Sequence, residues 1–298
     1  MFNEPLYRKR DAGEKMNITF DFIRENFKTV CRNVLVVDAP FCILFAVILL
    51  QQQMGKDVWN TKLEWMDFLH IEDSASIFTF FPILTAAAVM PMAFTLIDLH
   101  YTRNGGISGL KFKDVRMPYF LNLAKWFLSF LPFIIFAVLV IPVLIKGGEW
   151  FWTIILTGLV FFFFEMAPPA FIIGKKDFGA SMGTTIEYAF SYFWNSLFIT
   201  LLLLMVGVLI FLWEIGAVQA IDEVKHQVIG NSPDGNIVAY IIYWIILLAI
   251  FLALAASVAL ALTALTVGIA FQYGSLEERK HQYVLTEKIN NFEKLKDV

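Results

Sequence analysis

Charged side chains are scarce in this sequence. Asp, Glu, Lys and Arg make up 16% of its 298 residues, whereas an average soluble domain has about 25%. Hydrophobic residues reach 58%, against an ordinary share of about 45–50%. This composition excludes a disordered chain and argues against an ordinary soluble domain. Because the apolar residues gather into runs long enough to cross a bilayer, the sequence predicts a multi-span membrane protein.

Cysteine and histidine are also rare, and their positions exclude several kinds of site. Cys31 lies just before an apolar run and Cys42 lies inside it, which excludes a disulfide framework. The four histidines form no pair four residues apart, so a histidine metal site is not expected. The sequence also lacks a glycine-rich phosphate-binding loop. We therefore identify no catalytic, cofactor-binding or metal-binding residue, and we expect no enzymatic activity and no cofactor.

Six apolar runs set the expected architecture. They cover residues 34–50, 77–99, 121–145, 150–173, 190–213 and 237–273. A spanning helix needs about 20 residues, so the first run is slightly short and the last is long enough to hold two spans. The last run has no Pro and no Gly before Gly268, so we predict one long helix that projects past the membrane. The predicted fold class is all-α, a polytopic helical bundle with six transmembrane helices.

Lysine and arginine are distributed unequally between the segments that join these runs. With a cytoplasmic amino terminus, 18 of them fall on the cytoplasmic side and four on the outer side. Positive charge in short loops favours the cytoplasmic side of a membrane. We therefore predict that both termini are cytoplasmic, which requires an even number of spans and agrees with six. The first run is not followed by a small-residue cleavage site, so we expect an uncleaved anchor.

The segment before the first run has the pattern of an amphipathic helix. Met16, Phe20, Ile23 and Phe27 recur at steps of four and three, while basic residues such as Lys15 lie between them on the polar side. An apolar face bordered by basic residues suits the headgroup boundary of a membrane. We therefore predict an interfacial helix that leads directly into the first span.

Similar spacings occur three times in the chain. Counted from Gly13, apolar residues fall at offsets 3, 7, 10 and 14, and the same offsets are apolar from Gly179 and, with one exception, from Gly109. Each glycine opens a predicted cytoplasmic segment just before an odd-numbered span. This pattern favours a three-fold internal repeat with three interfacial amphipathic helices. The alternative is that any amphipathic segment next to a span shows such offsets.

These patterns divide the chain into three segments. Residues 1–33 form a cytoplasmic amino-terminal segment with the interfacial helix, residues 34–275 form the six-span domain, and residues 276–298 form a cytoplasmic carboxyl-terminal helix. The last segment balances five cations against five anions. We therefore expect a solvated helix that continues the last span.

Small residues repeat at every fourth position of the last run. They are Ala249, Ala253, Ser257 and Ala261. Small side chains in one row let a neighbouring helix approach closely, so the row predicts packing within the bundle or a contact with another subunit.

Three ionisable residues make up the candidate intramembrane polar site: Glu165, Lys125 and Asp38. Glu165 precedes Pro168 and Pro169, which remove backbone donors, and a carboxylate beside a broken helix is a candidate ion or proton site. The favoured alternative is that Glu165 pairs with Lys125 and joins two helices. For Asp38, we favour a helix-cap or snorkelling role near the interface.

A second polar group lies at the inner end of the second run. It consists of Asp98, His100 and Arg103. Contact with a lipid headgroup is one interpretation of this group. A solvated helix end is the interpretation we favour.

The amino-terminal residues carry a resemblance to a known group of proteins. The pattern contains Lys9, Arg10, Asp11 and Gly13, then Thr19, Phe20, Phe22, Ile23, Arg24, Asn26, Phe27 and Lys28. It resembles the start of uncharacterised bacterial six-span inner-membrane proteins, which are similar to the membrane domain attached to some glycerophosphodiester phosphodiesterases. The catalytic domain of those enzymes has no counterpart in this sequence. The resemblance implies a stand-alone membrane domain in the bacterial cytoplasmic membrane.

Two classes of function agree with these observations. The favoured one is a non-catalytic scaffold or accessory subunit of a membrane complex, because few polar residues are available to line a water-filled path. The alternative is a transporter or permease for a small solute or lipid with an intramembrane carboxylate site. The expected partners are the lipid bilayer and other membrane-protein subunits, and nucleic acid is not expected.

Overall fold

The computed structural model describes residues 2, 4–53, 74–103, 106–146, 163–194, 197, 201, 205 and 237–282. The regular secondary structure of these residues is entirely α-helical, which confirms the predicted all-α class. The helices are α1 Ala12–Gln53, α2 Ser74–Thr102, α3 Phe112–Lys146, α4 Ala167–Ile172, α5 Phe178–Ser191 and α6 Ile237–His281.

Side-chain caps explain where three of these helices begin. At α1, the Asp11 carboxylate accepts a hydrogen bond from the Glu14 backbone N–H at 2.8 Å, and the Glu14 carboxylate accepts one from the Asp11 N–H at 3.1 Å. At α5, the Asp177 carboxylate accepts from the first turn at 2.7 Å. At α3, the Asp114 carboxylate accepts from the Lys111 N–H at 3.0 Å. These bonds satisfy N–H groups at the helix starts for which no helical carbonyl is available.

The first and last helices are both unusually long. Helix α1 has 42 residues and covers the predicted interfacial segment as well as the predicted first span. Helix α6 has 45 residues without a break, which confirms one helix rather than two in the last apolar run. At about 1.5 Å per residue, α6 is roughly 68 Å long, about twice the thickness of the hydrocarbon core.

Among the described residues, two helical stretches are long and apolar enough to cross a membrane, Leu84–Thr102 in α2 and Ile245–His281 in α6. They coincide with parts of the predicted second and sixth spans. Residues 54–73, 147–162 and 206–236 lie outside the described residues, and they hold most of the predicted outer loops and much of the predicted fourth and fifth spans. The count of six spans therefore stays a prediction.

The chain divides into two compact units. The first contains Met1–Asn33, Met90–Leu204 and Thr263–Val298, and the second contains Val34–Val89 and Met205–Leu262. The first unit therefore joins the start of α1, the end of α2 and the end of α6 with α3, α4 and α5.

An aromatic cluster forms part of the core of the first unit. The Phe22 ring lies edge-on to Phe2, His100 and Phe271, with centroid distances of 5.3, 5.3 and 6.0 Å. All four side chains are buried. His100 is therefore a core residue, and the prediction that it belongs to a solvated helix end is wrong.

The amphipathic pattern of α1 is only partly matched by its burial. Phe20 and Phe27 are 43% and 51% exposed, as a helix at a membrane boundary requires of its apolar face. Phe22 lies on a different side of the helix from this apolar face and is buried. Val30, which continues the face three residues after Phe27, is buried as well. Lys15 was expected on the polar side, but it is only 1% exposed, so that expectation is wrong.

In the second unit, the small residues of α6 that are buried are not those of the predicted row. Ala255 and Ala259 are fully buried, whereas Ala249 and Ala253 are exposed. Since the backbone of α6 is continuous, this places the closely packed side of the helix about half a turn from the predicted row. The exposed members of the row are left accessible to a membrane neighbour.

Candidate functional site

Asp38 is a buried carboxylate in the middle of α1. It is fully buried in the second unit, and the Cys42 thiol one turn later donates a hydrogen bond to its Oδ2 at 2.9 Å. Among the described residues, its Oδ1 makes no hydrogen bond of ordinary geometry, although the Thr85 hydroxyl of α2 lies close enough to stabilise the carboxylate. The helix-cap interpretation is therefore wrong, because Asp38 lies 26 residues after the start of α1. The snorkelling interpretation stays a prediction.

The geometry around Asp38 is that of a site with unused acceptor capacity. Pro40 lies in the same turn of α1 and has no N–H to donate, so the carbonyl of Val36 also lacks its helical partner. A buried carboxylate oxygen without a donor is costly unless a proton or a cation joins it. This arrangement can chemically accept a proton or a small cation.

Glu165 lies at a helix break, as the sequence predicts. It is 1% exposed and belongs to a turn before α4. Helix α4 then begins with Pro168 and Pro169 in its first turn. Backbone N–H groups in a first turn have no carbonyl partner within the helix, so the absence of an N–H on proline breaks no helical hydrogen bond there. The prolines therefore separate α4 from the chain that carries Glu165.

Lys125 lies on α3, also in the first unit. Its Nζ is 5.6 Å from the centroid of the Phe171 ring, and it is an electrostatic neighbour of Asp98. The ion pair between Lys125 and Glu165 stays a prediction. Asp38 belongs to the second unit, so the three candidate residues divide between the two units.

A buried ionic group that the sequence did not predict lies at the end of α6. We call it the Glu277 cluster, and it comprises Lys176, Tyr188, Glu277 and His281. Glu277 is 1% exposed, and its Oε1 accepts hydrogen bonds from Lys176 Nζ at 2.5 Å and from the Tyr188 hydroxyl at 2.7 Å. His281 Nε2 lies 3.7 Å from Oε2. The cluster joins α5, the turn before it and α6.

The Glu277 cluster corrects the expectation for the carboxyl-terminal segment. Residues from 276 onward were expected to be solvated, but Leu276, Glu277 and Glu278 are buried, and exposure begins at Arg279. The signal in the sequence is the spacing of four between Tyr273, Glu277 and His281, which one continuous helix places on one side. The equal numbers of cations and anions in this segment had instead indicated a solvated helix.

Close backbone packing holds the turn before α5 against α6. A Cβ on Gly174 would lie 2.7 Å from the Ala170 carbonyl oxygen and closer still to the Tyr273 hydroxyl. Only glycine leaves this space free. The next residue, Lys175, has a φ of 52°, in the left-handed region that favours glycine.

The amino-terminal segment is bound to the end of α6 by polar contacts. The Arg10 backbone N–H donates to Ser275 Oγ at 3.1 Å, and Arg279 donates to the Arg10 carbonyl at 3.1 Å. Lys15 lies in this region, and burial together with the positive charges of Arg279 and Arg10 lowers its pKa to about 7. This corner of the first unit is therefore sensitive to protonation near neutral pH.

The comparisons and the described residues add no assigned chemistry. No known family model, curated protein or solved structure matches the chain. Within the part of the chain that the structure describes, no group of three His, Cys, Asp or Glu side chains could hold a metal ion. The resemblance to bacterial six-span inner-membrane proteins stays a prediction.

Proposed function

We propose that the chain is a non-catalytic scaffold or accessory subunit of a membrane complex. In this proposal it is a six-span protein of the bacterial cytoplasmic membrane with both termini in the cytoplasm. Support comes from the two apolar helices long enough to span a bilayer and from the excess of lysine and arginine on one side. The exposed aromatic residues of α1 add a surface suited to the membrane boundary.

The proposal includes the three-fold repeat of interfacial helix and span pair. Asp11 caps α1 and Asp177 caps α5. Each aspartate occupies the same position in its repeat, two residues before Gly13 or Gly179. Helix α3 begins three residues after Gly109, whereas the other two helices begin one residue before their glycines. The repeats that begin near Gly13 and Gly179 therefore support one register. The start of α3, in the repeat near Gly109, is shifted from that register by four residues, about one helical turn.

The observation that carries the scaffold proposal is the Glu277 cluster. Its carboxylate is buried, and its hydrogen bonds run to Lys176 and Tyr188 rather than toward an open site. A bonded buried ion pair favours one helix arrangement, since a change of arrangement leaves a charge without its partner. A subunit that organises others needs such a fixed surface.

A partner surface is available on α6 in the second unit. Ile245, Ala249, Leu252 and Ala253 are all exposed along one part of the helix. Small residues among larger apolar ones let a second membrane helix approach closely. We place the contact with another subunit here.

Crosslinking in native membranes tests the scaffold proposal. We expect the purified chain to bring down a stoichiometric membrane partner after mild crosslinking. Ala253→Phe should abolish capture, since it adds bulk at an exposed position without filling the core. Leu128→Phe is the matched control, an exposed apolar site on α3, and should leave capture unchanged. A clean monomer from the unmodified chain would overturn the proposal.

A transporter is the second candidate, and the free oxygen of Asp38 is the observation that favours it. The test is proton flux into vesicles that hold the reconstituted chain, followed with an internal pH-sensitive dye. Transport predicts that Asp38→Asn or Glu165→Gln stops the flux, while Asp21→Asn, at a carboxylate paired with Arg24 near the start of α1, does not. Equal flux in all variants and in empty vesicles removes this candidate.

Cysteine labelling tests the proposed topology. The two native cysteines are replaced by alanine, and single cysteines are introduced as Lys113→Cys or Lys62→Cys. We expect an impermeant thiol reagent added to intact cells to label position 62 and not position 113. Labelling of both positions, or of position 113 alone, contradicts the proposed orientation.

A further inference from the structure

A cavity of about 800 Å³ lies in the first unit, between the end of α2, the start of α3 and the turn that connects α4 to α5. We call it the lysine cavity. Its apolar side includes Met117 and Leu121. Its charged lining residues are Asp98, Lys125, Lys175, Lys176 and Asp177. It is therefore polar on one side and apolar on the other.

Three lysines and two aspartates line the lysine cavity, and they differ in how fully each is paired. Lys175 Nζ lies 4.0 Å from Asp98 Oδ1, at the limit of an ion pair, and Lys125 is a second electrostatic neighbour of the same carboxylate. Lys176 also lines the cavity but is bonded to Glu277. Asp177 is a second carboxylate of the lining, but its Oδ1 accepts a hydrogen bond from the Ala180 N–H at the start of α5, where the helix dipole offsets its negative charge. Lys125 and Lys175 are therefore the cations that remain to meet an anion, with Asp98 as the carboxylate set against them.

The backbone of Lys175 gives independent support for a role of this side chain. Its φ of 52° is a conformation that costs a lysine more than a glycine. The side chain is 63% exposed, so its packing does not repay that cost. Strained residues of this kind concentrate at binding sites.

The apolar side of the cavity continues along α3. Met117 is 74% exposed and Leu121 is 62% exposed, although both line the cavity. The same side of the helix carries further exposed apolar residues at helical spacing. They are Phe120, Phe127, Leu128, Leu131 and Ile135. A hydrocarbon chain that leaves the cavity would therefore meet an unbroken apolar surface.

We propose that the lysine cavity binds an anionic phospholipid, with its phosphate between Lys125 and Lys175 and an acyl chain along the exposed side of α3. Asp98 accepts a hydrogen bond from a headgroup hydroxyl, which suits a glycerol headgroup. The inference rests on the proposed membrane location and on no particular partner or transported solute. The lysine cavity is a separate site from the two candidate intramembrane carboxylates, Asp38 and Glu165, because neither of them lines it.

Native mass spectrometry of the full chain in detergent tests the site. The chain is titrated separately with phosphatidylglycerol, phosphatidylethanolamine, phosphatidylcholine and inorganic phosphate. We expect phosphatidylglycerol to bind most tightly. Lys125→Gln and Lys175→Gly should each weaken it about fivefold, the effect of one lysine near an anionic lipid surface. Asp98→Asn should strengthen it, because the asparagine oxygen can still accept from the headgroup hydroxyl while the negative charge that competes with the phosphate is removed.

Two controls separate a site from general charge effects. Lys28→Gln removes an exposed lysine of α1 that does not line the cavity, and it should leave binding unchanged. Lys175→Gly should raise the unfolding temperature while it weakens lipid binding, because glycine relieves the backbone. A purely structural lysine would instead lower the unfolding temperature and leave lipid binding unchanged, and that result would overturn the proposal.

The remaining outcomes also decide the question. Equal binding of phosphatidylglycerol and either zwitterionic lipid overturns the anionic ligand, and full competition by inorganic phosphate overturns a lipid in favour of a free anion. Failure of the chain to insert into vesicles contradicts the membrane proposal itself. Insertion into vesicles without a preference for phosphatidylglycerol contradicts only the lipid site in the cavity. Failure of the lipid site is therefore distinguishable from failure of the proposed membrane location.

Discussion

Gly174 is the position at which packing makes the sharpest demand on the sequence. In Gly174→Ala, the new Cβ lies 2.7 Å from the Ala170 carbonyl oxygen, about 0.7 Å short of the 3.4 Å at which ordinary contact begins. It overlaps the Tyr273 hydroxyl more severely still. Neither neighbour moves freely, because one is backbone and the other ends a ring that is 1% exposed. Overpacking of this kind costs about 1–3 kcal/mol, and two rigid neighbours place Gly174→Ala near the upper end.

Gly183 provides a matched control for this substitution. It lies within α5, and a Cβ built there meets nothing within 4 Å. Gly183→Ala should therefore stabilise the chain by about 0.5–1 kcal/mol, because alanine loses less backbone freedom in a helix. The two alanine variants should thus differ by about 3–4 kcal/mol, which corresponds to roughly 6–16 °C in Tm for a chain of this size.

Thermal unfolding of the purified chain in detergent, followed by circular dichroism, measures this difference. We expect Gly174→Ala to unfold below the unmodified chain and Gly183→Ala at or above it. Tyr273→Phe combined with Gly174→Ala should recover only part of the loss, because the clash with the Ala170 carbonyl remains. Equal unfolding temperatures for the two single variants would refute the packing of this turn against α6.

Three further predictions concern the same unit. The pKa of Lys15 is lowered to about 7 from an ordinary 10.5. Between about pH 10 and pH 7 only the unfolded chain takes up the proton, so the stability of the folded chain should fall as the pH drops through this range. Lys15→Met should flatten this part of a curve of Tm against pH, and an unchanged slope would contradict the lowered pKa. Lys176→Met should lower the free energy of unfolding by about 2–4 kcal/mol by leaving a buried carboxylate without its lysine, and adding Glu277→Gln should restore most of it in the same denaturation assay; a double variant as unstable as the single one argues against the pairing. Gly274→Ala would place a Cβ 2.5 Å from the Leu6 carbonyl oxygen, so limited proteolysis should cut its amino-terminal segment sooner than in the unmodified chain, and equal cleavage rates would contradict the docking of that segment.

The class of the fold and the continuity of its last helix were predictable from sequence. Long apolar runs with few charges favour helices in a membrane, since a helix satisfies its own backbone groups there. The absence of Pro and early Gly predicted that α6 is unbroken, and it is. The prolines after Glu165 likewise predicted a break, and α4 begins there. Each of these inferences depends only on neighbours along the chain.

Burial of polar side chains was much harder to predict. Lys15 and Glu277 lie in charge-rich segments, so their local sequence resembles that of solvated residues. Both are 1% exposed because segments distant in the chain cover them. Asp38 was assigned to a helix cap because it lies near the start of an apolar run, but α1 begins 26 residues earlier and the side chain is fully buried.

The sequence by itself therefore determined that this is an all-helical chain with apolar helices of membrane-spanning length and charged groups concentrated between them. Only the tertiary structure decided which charged groups meet. Lys176 and Glu277 are 101 residues apart, and Lys125 reaches Asp98 and Phe171 from a different helix. The physical reason is that hydrophobicity and helix propensity act over a few turns, whereas an ion pair or a cavity depends on which surfaces of distant helices come together.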